Sequence, residues 1–303
     1  MDRLADIEAL VAVIESGTFS AAGERLGVAK SVVSRRVSQL EQRFGTRLLH
    51  RTTRRLSLTD AGRNFYQRAV RVLADLDDAE QAVSVENTAL RGMLKVAAPL
   101  SFGLAHLSGA LTDFLAQHPA IEVNLDLNDR NVNLVEEGFD LAVRIGELQD
   151  STLVARRLGT SRIVTCASRA YLERHGEPLH PNDLRHHIGL QYSNIGYKQH
   201  WQFATRDGKT QQAQPRIRIR ANNGEALACA AAAGMGITTG PTFILGRYLK
   251  QGRLQCILRD YQRPAVGIFA VTPPGRLLPQ RVQLFIDFLS SRFGDQPYWD
   301  EDL

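Results

Sequence analysis

Residues 19–62 read FSAAGERLGVAKSVVSRRVSQLEQRFGTRLLHRTTRRLSLTDAG, and this stretch decides the fold of the N-terminal part of the chain. Between Arg25 and Leu58 it holds nine Lys or Arg residues and one acid, Glu41, which gives a local charge of +8. The formal charge of all 303 residues is +5, so the remaining residues sum to −3. A basic patch confined to a small helical unit is the footprint of a nucleic-acid-binding surface, although a charge run without further pattern is usually a solvated helix face.

Apolar spacing predicts two short helices around the start of this run. The first has one apolar face at spacings of 3, 4 and 3 and ends near Gly17; its members are Leu4, Ile7, Val11 and Ile14. Ser20 is expected to cap a second helix that runs to Leu26. Gly27 then supplies a tight break in the chain.

A third helix is predicted from about Lys30 to Phe44, with Gly45 as its C-terminal cap. Two helices joined by a Gly-containing turn indicate a helix-turn-helix over Phe19 to Ser38, whose second helix enters the major groove. A generic three-helix unit would show the same periodicity. The residues predicted to face DNA are Ser20, Lys30, Ser31, Ser34, Arg35, Arg36 and Ser38. Arg35 is suited to guanine, and Lys30 to a base or a phosphate.

The segment from Thr46 to Thr59 predicts a β-hairpin wing beside this helix. Its tip or edge is polar and basic, with Arg51, Thr52, Thr53, Arg54 and Arg55 placed for phosphates or the minor groove. Such contacts supply salt-dependent affinity rather than a choice of sequence.

Four segments, in this order and spacing, resemble the LysR-type transcriptional regulators. They are Phe19–Ala22 with Leu26, Val33–Val37 with Leu40 and Glu41, Gly45–Leu49 with Arg51, and Leu58–Gly62. The resemblance implies an N-terminal all-α winged helix-turn-helix with a long linker helix. It also implies a C-terminal α/β effector domain of two subdomains, similar to periplasmic binding proteins. Ala29 departs from the family, which usually has Ser before the recognition helix, and weakens the N-cap by about 1 kcal/mol.

A linker helix is predicted to begin after Thr59 and to continue to about Thr88. Its apolar seam has heptad spacing: Phe65, Ala69, Val72, Leu76, Ala79 and Val83. Packing on the chain's own body is the alternative use of such a seam. The resemblance implies a homodimer formed through this helix, with a tetramer as a further expectation, and two-fold symmetry suits palindromic DNA.

The expected domains are a DNA-binding domain at 1–58, a dimerising linker helix at 59–89 and an effector-binding domain at 90–303. After Gly92, strand-like and helical runs alternate, which indicates an α/β domain. The resemblance implies subdomain I at about 90–162 plus 267–303 and subdomain II at about 163–266. The chain is expected to cross between them near Ser161–Val164 and Pro264–Ile268.

Ligands of open α/β sheets bind beyond the carboxyl ends of strands, where helix N-termini offer free N–H groups. The candidate effector contacts at such places are Ser101, Phe102, Asn128, Arg144, Ser168 and Asn222. Arg144 could pair with a carboxylate through two hydrogen bonds, which favours an anionic effector. Ordinary strand-end capping is the alternative for each of them. Tyr192 and Trp201 fit a core role as well as they fit stacking on a ligand.

Other chemistry finds little support in the sequence. Cys166, Cys229 and Cys256 lie far apart without a CxxC pair, so reduced thiols are expected rather than a disulfide framework or a zinc site. No catalytic residue, metal or cofactor is expected. The chain has no 18-residue apolar stretch and no signal-peptide core, so we expect a cytoplasmic protein that does not insert into membranes.

Two classes of function fit these observations. The first is a sequence-specific DNA-binding transcriptional regulator whose activity is set by a small-molecule effector in the cleft. The second is a small-molecule-binding protein or enzyme on the same α/β fold, with the N-terminal unit serving only for interaction. The +8 segment favours the first class, because an interaction module does not need it.

Overall fold

The computed structural model describes residues 2–51, 56–83, 90–146, 152–194, 200–205, 209–261, 263–275, 278–294, 297–301 and 303. These residues form two compact units. The first unit comprises the residues up to Gly92 together with Val135–Gly138. The second unit comprises Met93–Leu134 and Phe139–Leu303.

The first unit is a small helical bundle with a β-hairpin and one long helix. Its elements are α1 (Arg3–Ser16), α2 (Phe19–Arg25), α3 (Lys30–Phe44), β1 (Leu49–Arg51), β2 (Leu56–Leu58) and α4 (Asp60–Val83). Helix α1 packs against α2, α3 and α4. The core contains Leu10, Val13, Val33, Val37 and Leu40, all fully buried.

The N-cap of α2 lies two residues earlier than the sequence suggested. The Thr18 hydroxyl caps α2 by accepting the N–H of Ala21 at 3.1 Å. The prediction of Ser20 as the cap was therefore wrong, because Ser20 lies inside the first turn of α2. The other cap expectation is confirmed, since Ala29 at the N-cap of α3 makes no side-chain hydrogen bond.

Glu41, the lone acid of the basic run, fastens the hairpin to the recognition helix. Its Oε1 accepts the N–H groups of Leu48 at 2.9 Å and Leu49 at 3.1 Å. Leu48 and Leu49 are at most 1% exposed, so water is a poor substitute for the carboxylate. The acid that interrupts the positive run is thus a structural anchor for strand β1.

Gly62 lets α4 pass close to the base of the hairpin. An added Cβ at this position would lie 1.9 Å from the carbonyl oxygen of Leu48. Thr59 caps the same helix by accepting the N–H of Gly62 at 2.9 Å, and its hydroxyl donates to the Arg47 carbonyl at 2.8 Å. The sequence Thr-Asp-Ala-Gly at 59–62 therefore supplies both the N-cap of α4 and the glycine that lets this helix approach the backbone of the hairpin.

The apolar seam of α4 divides into two parts. Phe65 packs against the core of the first unit and contacts Phe44 in a tilted arrangement with ring centroids 4.9 Å apart, and Ala69 is 2% exposed. Farther along, Val72 is 50% exposed. The start of the seam thus packs on the chain's own body, whereas Val72 does not. The predicted end near Thr88 lies outside the described residues.

The second unit contains two five-stranded sheets. The first has the order β4-β3-β5-β14-β6, formed by β3 (Gly92–Ala98), β4 (Ile121–Leu127), β5 (Leu141–Gly146), β6 (Val154–Ser161) and β14 (Val266–Thr272). Its helices are α5 (Leu100–Phe102), a π-helical turn (Gly103–Leu107), α6 (Ser108–Gln117) and α11 (Gln280–Phe293). The short helix α7 (Leu134–Glu137) begins at the last residue before the stretch that belongs to the first unit. Strands β3 and β5 are parallel, and β14 is antiparallel to β5 and β6.

The second sheet has the order β11-β8-β12-β7-β13. Its strands are β7 (Ile163–Ala167), β8 (Ile188–Tyr192), β11 (Arg216–Ala221), β12 (Ile237–Pro241) and β13 (Gln255–Cys256). A separate hairpin is formed by β9 (Trp201–Ala204) and β10 (Thr210–Ala213). The helices are α8 (Arg169–His175), α9 (Gly224–Ala232) and α10 (Thr242–Lys250), with 3-10 turns at Pro181–His186 and, near the C-terminus, Tyr298–Asp300.

The chain crosses between the two sheets at neighbouring positions. Arg162 alone separates β6 from β7, and the return ends where β14 begins at Val266. Ser161 and Val266 are register partners, so the crossings lie side by side. The Ser161 and Thr242 hydroxyls, 3.1 Å apart, tie this place to α10.

Replacing Glu41 tests its role as an anchor. We expect Glu41→Ala to lower the free energy of unfolding by about 2–3 kcal/mol, because two buried N–H groups lose a charged acceptor, and Glu41→Gln to cost less. Chemical unfolding measures this, with Glu24→Gln on the exposed face of α2 as the matched loss of an acid. Equal stability of the Ala and Glu24 variants would contradict the account.

Candidate nucleic-acid interface and effector cleft

The outer face of α3 presents the residues that the sequence predicted for DNA. Lys30, Ser31, Arg35 and Ser38 are exposed, whereas Ser34 and Arg36 are half-buried. Within the described ranges, the side chains of Lys30 and Arg35 form no hydrogen bond or ion pair. Their charges are therefore available to a polyanion. Ser20, also exposed, belongs to the first turn of α2.

The wing is an antiparallel hairpin, as predicted from the sequence. Leu49 pairs with Leu58, His50 with Ser57 and Arg51 with Leu56. Leu49 is fully buried, while His50 on the other face is exposed. The tip residues Thr52, Thr53, Arg54 and Arg55 and the side chain of Arg51 lie outside the described part of the chain, so their contacts with DNA stay predictions.

Two acids near this surface, Glu15 and Glu41, form contacts within the protein. Glu15 pairs with Arg25 at 2.6 Å and accepts the Tyr66 hydroxyl at 3.3 Å, whereas Glu41 holds the hairpin. Burial, followed by the charge of Glu15, raises the pKa of the Tyr66 hydroxyl. The outer face of α3 consequently keeps its positive charge.

In the second unit, Asn223 joins the two sheets across the cleft. Its Oδ1 caps α9 by accepting the N–H of Glu225 at 3.0 Å. Its Nδ2 donates to Asp129 Oδ2 at 3.0 Å and to Ser101 Oγ at 3.2 Å, both of which follow strands of the first sheet. One side chain thus uses its acceptor on its own helix and its donor on the opposite subdomain.

Asp129 accepts hydrogen bonds from both subdomains. Its Oδ1 accepts the N–H of Leu100, at the start of α5, at 3.1 Å. Its backbone carbonyl accepts Asn194 Nδ2 at 2.6 Å from the other subdomain. Burial, and then the charge of Asp129, raises the pKa of the neighbouring Tyr192. A carboxylate of the protein itself therefore occupies donors that could otherwise bind an anionic ligand.

Of three predicted effector residues, Ser101 belongs to the Asn223–Asp129 contact, whereas Asn128 and Arg144 form other hydrogen bonds. Ser101 is 7% exposed and contacts Asn223. Asn128 donates to Asp126 at 2.6 Å and accepts the N–H of Arg130 at 3.1 Å. The Arg144 guanidinium donates to the carbonyl of Val132 at 3.2 Å. Asn128 and Arg144 thus have local hydrogen-bond partners.

The other three predicted residues have different surroundings. Phe102 is fully buried, and its ring packs against those of Phe243 and Phe293 at 5.4 and 5.2 Å. Ser168 is the N-cap of α8 and accepts the N–H of Tyr171 at 3.3 Å. Asn222 is exposed. The structure brings Ser101, but not these three, into the Asn223–Asp129 contact.

The sequence did not single out Asn223, Asp129 or Asn194 as the residues that bridge the cleft. Asn222 was chosen after β11 instead of its neighbour Asn223, although Asn223 followed by Gly-Glu is a good N-terminal signal for a helix. Asn128 was likewise chosen instead of its neighbour Asp129. Asn194 gave no sequence signal, because its partner lies 65 residues away.

A separate cavity of about 610 Å³ lies in the second subdomain. Among the described residues, its lining includes three arginines, Arg185, Arg216 and Arg220, together with Gln191, His200 and Trp201, and no acid. Trp201 is 2% exposed and belongs to the core of this subdomain, so its indole serves both as core and as cavity wall. The Tyr192 hydroxyl accepts Asn194 Nδ2 at 3.3 Å, beside the cleft.

Within the described ranges, no three His, Cys, Asp or Glu side chains group as a metal site would require. None of the helices in the same ranges combines the length and the apolar character needed to cross a bilayer.

Comparison with known proteins places both units. Residues 4–63 match the family model of the bacterial regulatory helix-turn-helix protein, lysR family, and residues 87–294 match the LysR substrate binding domain. An HTH-type transcriptional regulator of Haemophilus influenzae is 39% identical over 282 residues, which cover 93% of this chain and 98% of that protein.

Solved structures agree with the sequence comparison. CrgA of Neisseria meningitidis, a LysR-type transcriptional regulator, is 33% identical, with coverage of 96% of this chain and 99% of that chain and a TM-score of 0.61. The full-length Vibrio cholerae virulence activator AphB is 27% identical, with coverage of 95% and 98% and a TM-score of 0.59. The proteins similar to this chain are regulators, not enzymes.

Proposed function

This chain belongs to the LysR family of transcriptional regulators, and on that basis we propose how it reads DNA and senses its effector. Helix α3 enters the major groove with Lys30 and Arg35 toward the bases, while the wing contacts the phosphates. The observation that carries this proposal is the exposed face of α3, where neither cation has an ion-pair partner within the described ranges. Because its target is DNA, we place its action in the cytoplasm.

Arg35 and Arg54 should differ in what they contribute to DNA binding. We expect Arg35→Ala to relax base preference at one operator position, at a cost of about 1–3 kcal/mol, and Arg54→Ala to weaken binding to all sequences alike. Binding to a library of operator variants measures both effects. Arg169→Ala, which removes one exposed charge from the second unit, is the control. Equal loss of discrimination in the Arg35 and Arg54 variants would contradict the division of roles.

The proposed homodimer forms through α4. Val72, on the predicted seam, is half exposed. The two seam residues before it, Phe65 and Ala69, already pack against the chain itself. A second copy of α4 would cover Val72 and extend the seam as a helix pair. Pairing of dimers into a tetramer extends the same proposal.

A charge on the seam tests this dimer. We expect Val72→Asp to shift the protein toward monomer in analytical ultracentrifugation, because a carboxylate would be buried without a partner. Gln67→Asp adds the same charge about 140° away around the helix and should leave the dimer intact. A dimer that survives both substitutions would exclude α4 as the interface.

We further propose that the effector binds beside Ser101 and carries a carboxylate that replaces that of Asp129. Leu100 N–H and Asn223 Nδ2 already hold one carboxylate group, so their geometry suits another. Replacement would free Asn223 from Asp129 and change the contact between the subdomains. An effector that prefers one arrangement of the subdomains shifts the equilibrium by its differential affinity.

The arginine-lined cavity is the second candidate for an anionic effector, because Arg185, Arg216 and Arg220 supply positive charge there. A thermal-shift screen of small carboxylates on the full chain separates the two. If the cleft is the site, Asp129→Asn should raise affinity about tenfold by removing about 1.4 kcal/mol of like-charge repulsion. Asp126→Asn, which removes an acid near the end of the preceding strand β4, is the control.

Binding in the arginine-lined cavity would give a different pattern. A carboxylate whose binding is unchanged in Asp129→Asn but lost in Arg220→Gln would place the site in the cavity. That result would overturn the cleft proposal and leave the assignment of the DNA-binding face untouched.

A further inference from the structure

Cys166 and Cys256, 90 residues apart in the sequence, face each other on neighbouring strands. They are direct register partners in the antiparallel pair β7 and β13, and their sulfur atoms are 3.8 Å apart. This pair could not be predicted from the sequence, because residue spacing does not report the antiparallel pairing of distant segments. The third cysteine, Cys229, is exposed and lies 3.1 Å from the hydroxyl of Tyr248.

The register of these strands favours a disulfide. Ile257 donates its N–H to the carbonyl of Thr165 at 3.0 Å, so the next pair, Cys256 with Cys166, is a non-hydrogen-bonded pair. Cα atoms in such pairs lie about 4.5 Å apart, within the range of about 4.4–6.8 Å seen in disulfides. Rotation of the two side chains, without movement of the strands, can therefore bring the sulfurs to bonding distance.

The two thiols have different surroundings. Cys166 is fully buried, whereas Cys256 is partly exposed on the edge strand of the sheet. A hydrogen bond from Cys166, together with the charges of Arg259 and Arg162, lowers the pKa of the Cys256 thiol to about 7. The same hydrogen bond and burial raise the pKa of Cys166. An accessible thiolate therefore lies beside a protected thiol, which is the usual arrangement of an attacking and a resolving cysteine.

We propose that Cys256 and Cys166 form a thiol pair that hydroperoxides oxidise to a disulfide. The Cys256 thiolate attacks one oxygen of the hydroperoxide, the O–O bond breaks, and the leaving alkoxide or hydroxide takes up a proton as alcohol or water. The product is a sulfenic acid on Cys256. The Cys166 sulfur then attacks the Cys256 sulfur, the S–O bond breaks, and the hydroxyl leaves as water with the Cys166 thiol proton. Two thiols are oxidised and one peroxide is reduced.

The pair lies on the two strands of the second sheet that connect, along the chain, to the crossings between the subdomains. Strand β7 follows Arg162, the single residue after β6, and the chain after β13 leads to β14 of the other sheet. Leu258, two residues past Cys256, has a φ of +53°, a left-handed conformation that is unfavourable for a bulky residue. A disulfide would fix β13 to β7 where this strained return segment begins. Oxidation would thereby stiffen the segment on which relative movement of the subdomains depends.

The test uses the full chain, reduced and then exposed to stoichiometric hydrogen peroxide. After alkylation of the remaining thiols, we expect peptide mass spectrometry to find Cys166 linked to Cys256 and a fall from three free thiols to one. Cys229 should be alkylated, although it is the most exposed of the three. Dithiothreitol should restore all three thiols.

Single variants separate the two roles. Cys256→Ser should abolish the linkage, Cys166→Ser should leave a sulfenic acid on Cys256 that dimedone traps, and Cys229→Ser should behave as the wild type. If the buried Cys166→Ser variant fails to fold, brief dimedone labelling of the wild-type chain still assigns the attacking thiol. Linkage through Cys229, oxidation at equal rates at all three thiols, or peroxide resistance of Cys256 would each overturn the proposal.

Discussion

The Glu41 carboxylate, which accepts the N–H groups of Leu48 and Leu49, is the contact on which the DNA-binding unit depends. It joins the recognition helix to the first strand of the wing, so the two surfaces that approach DNA keep a fixed relation. Nine cations between Arg25 and Leu58 repel one another, and the only acid of that stretch is used inside the structure. The outer surface consequently stays positive, while the interior of the unit remains fully hydrogen-bonded at this point.

The second unit uses a carboxylate in a comparable way. Asp129 receives the N–H of Leu100 and the amide of Asn223, so an acid of the protein occupies the donors between the two sheets. An anionic effector would have to replace this acid. The effector-bound state is then in equilibrium with the state in which Asp129 holds these donors. The thiol pair at the edge of the second sheet lies on the strands that connect to the crossings and would act on the same relative movement.

The sequence was sufficient where local signals carry the fold. Periodicity placed α1 to α3, Gly45 ended α3, Thr59 capped α4, and the segment from Thr46 to Thr59 predicted the hairpin. It was insufficient where distant segments meet. Asn223 touches Ser101 over 122 residues and Cys166 faces Cys256 over 90, and no spacing rule reports such contacts. The cap of α2 was misplaced by two residues, because Thr18 and Ser20 are both good caps and only the backbone distinguishes them.

The most direct test of the central claim is the salt dependence of binding between the full chain and the DNA upstream of its own gene. Phosphate contacts release counterions, so the logarithm of the affinity should fall linearly with the logarithm of the salt concentration. With six or more phosphates neutralised by a dimer, we predict a loss of about a thousandfold or more between about 50 and 200 mM salt. Affinity that is independent of salt, or no binding at either concentration, would contradict a regulator that reads DNA through this basic surface.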